Sequence, residues 1–518
     1  MNRSLALRLT SFVFVFAATA SASPISEAPK SSSKPKSVIL LIGDGMGPQQ
    51  LGLLELYSRH ELKSESPFRK LSRTAEMALV SPSASGALVV DSACSASALA
   101  SGVESLPGTL GIDASGATVE SILERAKKAG KSVGLVSDTR ITHATPAAFI
   151  AHVVDRDDEY AIARQIAESK ADVLLSGGAK FFSETGERKD AAPASETATA
   201  RGFTLLTDKA QLAELSNGHG KRFLGLFAKS AMEDALTLKG KSSANSKEPS
   251  LLDMSRAAIG HLSQNPNGFF LMIEAGQIDW AGHANDAGWL LAEMLRMAEV
   301  VDFVTDWRTK NPETLVLVTA DHETGGFGFS YSAASIPAPF ELPNLNAPDK
   351  QYAADYNFVA PQILKRLAQQ KTPVTQVLRR FSGAGRTKPD AAARLQRSLL
   401  EVTGYEISNA EAQTLLLREK NQHFVPSHKD LNEQEVPKLA DFSAFYPKPV
   451  ERASAELARL LSDRTGIVWA SGTHTSTPVP LFAVGPGQSA FRGLADQYEV
   501  GHRLLELFLP DSRKNPAK

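Results

Sequence analysis

Four short apolar runs in this chain each lead to a residue that can bind a metal or act as a nucleophile, and this repetition constrains the fold more than any bulk property. Residues 38–42 lead to Asp44, 88–90 to Asp91 and Ser92, 269–273 to Glu274, and 315–318 to Asp321 and His322. Runs of this length without polar alternation fit strands covered on both faces. Open α/β sheets carry their functional groups at the carboxyl ends of such strands. The carboxylates, imidazoles and hydroxyl are therefore expected to converge at one edge of one sheet.

Between these runs the pattern alternates. Helices are expected over 118–128, 159–170, 251–264 and 289–307, and strands over 133–137 and 173–176. That order builds βαβ units around a central, mostly parallel sheet flanked by helices. The alternation breaks between 329 and 464, where the Pro-rich run 336–343 precedes helical patterns at 361–370, 391–401, 409–419 and 450–461. This stretch reads as a large insertion that either covers the active site or contacts a second subunit. The sheet is expected to resume at 466–469 and 481–484. The α/β domain is thereby divided into a first part, 37–328, and a last part, 465–510.

At 518 residues and 42% hydrophobic content the chain can bury a large core, and a formal net charge of −1 gives no general reason to bind nucleic acid or a membrane surface. Residues 1–22 join a basic start to an apolar stretch and an Ala-Ser-Ala end, the pattern of a secretory signal peptide. The apolar stretch is shorter than the roughly 20 residues a membrane span needs. Residues 23–36 read as a flexible leader and 511–518 as a polar tail. An exported protein, periplasmic or extracellular and without a membrane anchor, is the expectation. The single cysteine, Cys94, excludes an intrachain disulfide. Two positions after Ser92 in a small-residue helix, it reads as a buried, inert thiol.

Asp279 and His283 stand four apart, within reach of one ion if the segment is helical. Alone, such a pair also reads as a surface Asp and a capping His. Glu274 before it and Asp321-His322 after it change the balance: five potential ligands fall within 49 residues, all at or just after strand ends. Mixed His and carboxylate ligands suit zinc, whereas carboxylate, hydroxyl and water suit magnesium. Ser92 opens a helix expected over 92–101 and ended by Gly102. A helix N-terminus attracts phosphate oxygens, although Asp91 and Ser92 also read as plain capping residues.

Six motifs, Ile42-Gly-Asp-Gly-Met-Gly47, Asp91-Ser-Ala-Cys-Ser-Ala-Ser97, Thr142-His-Ala-Thr-Pro146, Asp279-Trp-Ala-Gly-His283, Thr319-Ala-Asp-His-Glu-Thr-Gly-Gly326 and Gly472-Thr-His-Thr475, resemble in order those of alkaline phosphatases. The resemblance spans about 37–509, and Trp280 matches most the bacterial branch that carries Trp after the zinc-binding Asp. It implies an alkaline-phosphatase-like three-layer sandwich that hydrolyses phosphate monoesters through a covalent phosphoserine. It further implies that Asp279, His283 and His474 hold one zinc, that Asp44, Asp321 and His322 hold the other, and that Asp44, Glu274 and Thr145 hold magnesium. The cofactors are then two Zn2+ and one Mg2+ per chain. Ser92 becomes the nucleophile and Arg156 the phosphate clamp, and a homodimer is a family expectation.

These roles agree with elementary chemistry. A serine hydroxyl is a poor nucleophile at neutral pH, and zinc lowers the pKa of a bound hydroxyl donor by many units. Arg156 can bind two equatorial phosphate oxygens bidentately. Three divalent ions less four carboxylates leave roughly two positive charges before Arg156 is counted, which matches a monoester dianion better than a singly charged diester. His143 stands where some relatives carry Asp near the magnesium site, so a weaker or more exchangeable metal is expected there. Trp280 reads either as ordinary packing or as the loss of a cation beside the phosphate that speeds product release. Two rival readings stay open. A two-zinc phosphodiesterase or nucleotide pyrophosphatase shares the zinc ligands, but Glu274, Thr145 and Arg156 argue against it. A non-catalytic exported zinc or phosphate binder has no need of Ser92.

Overall fold

The computed structural model describes residues 34–186, 192–218, 220–240, 247–342 and 351–509. The expected signal peptide at 1–22, most of the leader and the tail at 511–518 lie outside the described residues. Ten strands form the central sheet: β1 Ser37–Gly43, β2 Glu76–Ser81, β3 Ser132–Arg140, β4 Val173–Gly177, β5 Phe203–Leu206, β6 Arg222–Leu226, β7 Phe269–Ala275, β8 Thr314–Thr319, β9 Val479–Val484 and β10 Gly493–Asp496. Their spatial order is β10-β2-β9-β8-β1-β7-β3-β4-β6-β5. Every residue of β1, β7 and β8 is buried, as their unbroken apolar runs require in a sheet covered by helices. This is the mostly parallel α/β fold expected.

Strand direction decides where the chemistry collects. Only β9 opposes its neighbours; it pairs antiparallel with both β2 and β8, while the other pairings are parallel. Parallel strands deliver their carboxyl flanks to one edge, and the reversed strand delivers its amino flank there. Thus His474, just before β9, reaches the edge that also receives Asp44 after β1, Glu274 at the end of β7, and Asp321 after β8.

Two expected strands are corrected. Residues 88–90 form no strand: they lie in a loop that starts at Pro82 and turns at Gly86, which has φ 74°, and of the three Leu88 is 88% exposed, Val89 is exposed and Val90 is buried. The chain reaches Ser92 from β2 instead. Residues 466–469 do not rejoin the central sheet. Ile467–Val468 pairs with Gly328–Phe329 in a separate two-stranded ladder, and Val468 is exposed. The helix expected from 118 starts at Ile122, where Ser121 and Glu124 form a capping box. Between Phe329 and Gly466 the helices Gln362–Ala368, Val374–Arg379, Ala391–Thr403, Asn409–Leu416 and Pro449–Thr465 share an apolar core that includes Val377, Leu395, Leu399 and Ala412.

Candidate active site

The chain leaves β1 through a turn that only glycine permits. Gly45 has φ 78°, and a Cβ there would lie 2.7 Å from the Asp279 Cα. Its N–H donates to Asp321 Oδ1 at 3.1 Å, which locks two sheet-edge carboxylates into one frame. Asp279 and His283 share one face of the short helix Gln277–His283, with His283 Nε2 3.3 Å from Asp279 Oδ2. His474–Thr475 pairs antiparallel with Glu323–Thr324. This ladder stacks the His474 ring on His322 at 3.6 Å between centroids.

Three groups of potential ligands result. His474 Nε2 lies 3.2 Å from His283 Nε2 and 3.5 Å from Asp279 Oδ1. His322 Nε2 lies 3.2 Å from Asp321 Oδ2 and 3.5 Å from Asp44 Oδ1. Thr145 Oγ1 donates to Asp44 Oδ2 at 3.2 Å, and Thr139 Oγ1 and Ser137 Oγ donate to Glu274 Oε2. The sequence-predicted ligands are thus brought together. His143, read from sequence only as a departure, joins the third group, with Nδ1 3.6 Å from Glu274 Oε1.

The donor set fits divalent cations. His283 Nδ1 sits 2.6 Å from the Gly472 carbonyl and His474 Nδ1 2.8 Å from that of Val90. A carbonyl accepts only, so in the neutral ring both Nδ1 atoms carry the proton and both Nε2 lone pairs face each other. Two lone pairs 3.2 Å apart need a shared electrophile. Asp44 Oδ1, Glu274 Oε1, Asp321 Oδ2 and His143 Nδ1 are buried with no hydrogen-bond partner. Burial first, and then Asp321, Asp279 and Glu274, push the Asp44 carboxyl well above the usual range. Burial and the Asp279 charge push Asp321 up to about 8. Burial and the neighbouring His474 drive His322 well below its ordinary value. Clustered carboxylates that repel one another beside an imidazole that resists protonation fit metal ions.

Ser92 opens the helix Ser92–Ser101, capped by Asp91, which accepts the Cys94 N–H at 3.1 Å. Ser92 Oγ lies 3.2 Å from His322 Nε2. Arg156 Nη1 donates to Asp91 Oδ2 at 2.9 Å, and its Nη2 is 3.5 Å from His143 Nε2. Burial opposes ionisation of Asp91, but Arg156 and the backbone N–H groups of Cys94 and Gly108 outweigh it and hold the carboxyl below its usual range. These residues open into a cavity of about 460 Å3, whose wall also includes His143, Trp280, Lys429 and Lys448. The Trp280 ring lies 5.9 Å from the Arg140 guanidinium and 5.9 Å from the His143 ring, to which it is nearly perpendicular. The Cys94 thiol is buried, as expected, and burial raises its pKa.

Several contributors carried no usable sequence signal: Ser137 and Thr139, which hold Glu274; Asp91 as the orienting partner of Arg156; and Lys429 and Lys448. Thr324, which donates to Asp279, lies inside a quoted motif.

The fold and this constellation define a metal-dependent hydrolase of the parallel-sheet α/β class with a serine and an arginine at its cation sites. A family profile for alkaline phosphatase matches residues 35–508. Alkaline phosphatase 4 of Bacillus subtilis is 30% identical over 512 residues, covering 96% of this chain and 95% of its own. The alkaline phosphatase of Escherichia coli K12 is 33% identical over 333 residues, covering 56% and 71%. The crystal structure of Thermus thermophilus alkaline phosphatase is similar with a TM-score of 0.73 at 26% identity, covering 98% of both chains. The chain belongs to the alkaline phosphatase family and is a metal-dependent phosphomonoesterase.

Proposed function

We propose that monoester hydrolysis in this protein runs through a phosphoserine at Ser92. Asp279, His283 and His474 would hold one zinc, Asp44, Asp321 and His322 the second, and Asp44, Glu274 and Thr145 a magnesium, with His143 beside it. When bound, these ions supply Lewis acidity that lowers the serine pKa and offsets phosphate charge. A magnesium is bound in the M3 site of a His-to-Asp mutant of TAB5 alkaline phosphatase.

Ser92 Oγ forms a bond to phosphorus as the bond to the leaving oxygen breaks. Water then hydrolyses the phosphoserine, which restores Ser92 and releases inorganic phosphate. Arg156, with one N–H committed to Asp91, directs the remaining donors to non-bridging oxygens. The first N–H groups of the helix Ser92–Ser101 reinforce this. The observation that carries the reading is the 3.2 Å approach of Ser92 Oγ to His322 Nε2 in the cavity shared with Arg156. The same reading includes an exported homodimer and takes 329–464 as an insertion between 37–328 and 465–510.

The test uses p-nitrophenyl phosphate with wild type and Ser92→Ala, each chelator-treated and then resupplied with zinc and magnesium. A loss of roughly 10^3-fold or more in Ser92→Ala is expected, together with acid-stable phosphate on the Ser92 peptide of wild type. Retained turnover in the variant rejects the phosphoserine.

A further inference from the structure

The cavity wall carries four cations, and three of them face carboxylates in the same wall. Arg156 is bound to Asp91, Arg140 to Glu159 at 2.8 Å, and Lys429 to Asp157. Lys448 differs. Its partner, Glu451 at 3.2 Å, does not line the cavity, and among the described residues no other partner takes its remaining N–H donors. Glu451 is buried one turn further along the helix Pro449–Thr465 and anchors the lysine from behind. Pro449 restricts the backbone at Lys448 to the extended conformation seen there, φ −83° and ψ 126°, so the attachment point is fixed. Lys448 therefore presents a positive charge to the cavity.

Its place along the reaction axis follows from Ser92. The serine occupies the His322 end of the cluster, and in-line displacement sends the leaving oxygen to the side opposite the nucleophile. That leaves the Asp279–His283 end to the leaving group. Lys448 lines the same cavity wall as Asp279 and His283, the two residues of that end.

We propose that Lys448 is a specificity-determining residue that contacts the leaving group and favours monoesters whose leaving group carries its own anionic charge. The proposal rests on the in-line reading above and names the substrate class for that site.

Phenyl phosphate and 4-carboxyphenyl phosphate, compared on metal-loaded wild type, Lys448→Met and Lys448→Arg, test it. The ratio of kcat/KM for the carboxylated over the plain ester is expected to fall about fivefold in Lys448→Met, the scale of one charge pair at a solvent-accessible mouth, and to recover in Lys448→Arg. Calorimetric Kd values for the two non-hydrolysable phosphonates should shift in the same ratio. Equal losses for both esters and both phosphonates overturn the proposal and make Lys448 a support for the helix. If wild type turns over neither ester, the catalytic reading fails instead, and the phosphonate ratio still decides Lys448.

Discussion

Two clusters of buried carboxylates lie side by side and meet the same electrostatic demand differently. In one, Arg296 Nη1 stands 3.1 Å from Asp138 Oδ2 and 3.2 Å from Glu293 Oε2. Asp138 also accepts the Gly276 N–H at 2.7 Å, and Glu293 accepts the Ala235 N–H and the Trp289 indole N–H, both at 2.8 Å. In the other, Asp44, Glu274 and Asp321 each keep an oxygen without a hydrogen-bond partner, as Glu293 Oε2 also does, but among the described residues none of the three forms an ion pair with Arg or Lys. Gly276 follows Glu274 by two residues, so the clusters share a loop. The first holds its own cation; the second is completed by cations from outside. A charge balanced by the chain serves stability, and a charge left unbalanced serves binding.

The widest separation between them should come from Asp321→Asn. In the metal-loaded protein kcat/KM is expected to drop roughly 10^3-fold, since a cation anchor is lost. In the metal-stripped protein at pH 9 the same substitution should leave Tm equal or higher, because it removes a repelled buried charge. Arg296→Met should behave in the opposite way. It strands Asp138 and Glu293 and is expected to destabilise by about 3–5 kcal/mol in urea titration, with or without metal. Metal-dependent loss in Arg296→Met would erase the distinction.

Next in size is a pH effect confined to the metal-stripped protein. Burial, with Asp279 and Glu274 as charged neighbours, raises Asp321 to about 8, and Asp44 is raised as well. An unfolded aspartate releases its proton near pH 4. Between these limits the folded state binds more protons than the unfolded, so stability is fully present below about pH 4 and is lost as pH climbs through about 8. Scanning calorimetry should give a metal-free Tm about 5 °C lower at pH 9 than at pH 6. The loaded protein should lack that fall, because the ions supply the missing counter-charge.

The contrast also marks what the sequence discloses. β1, β7 and β8 are legible because burial on both faces forbids polar alternation. β2 and β10 are not, since Met77, Leu79 and Leu494 face outward near the sheet edge. The metal-site residues sit in contiguous motifs and could be named in advance. His474 could be named too, but the reversed direction of β9 that delivers it has no local signature. Glu293 and Arg296, three apart in a long helix, read as an unremarkable ion pair; only packing against β3 shows that they are buried with Asp138. Lys448 is likewise invisible until the residue before the helix Pro449–Thr465 is placed in the cavity wall.

The smallest expected effect probes the seam between the clusters. His143 is buried, its Nδ1 3.6 Å from Glu274 Oε1, and burial lowers its pKa, so it contributes a neutral nitrogen to the third group of ligands. Magnesium prefers oxygen ligands and anionic charge. His143→Asp should tighten magnesium about tenfold, equivalent to ~1.4 kcal/mol, measured by equilibrium dialysis at fixed zinc. The same carboxylate would stand near Arg156, whose Nη2 is now 3.5 Å from His143 Nε2. It should draw the guanidinium from the phosphate and raise the inhibition constant for inorganic phosphate about twofold to threefold. An unchanged magnesium affinity would mean that residue 143 does not set the charge of this site. The charge would then be governed by Glu274 and, through Gly276, by the Asp138–Arg296 pair. Binding and stability would in that case draw on one network rather than two.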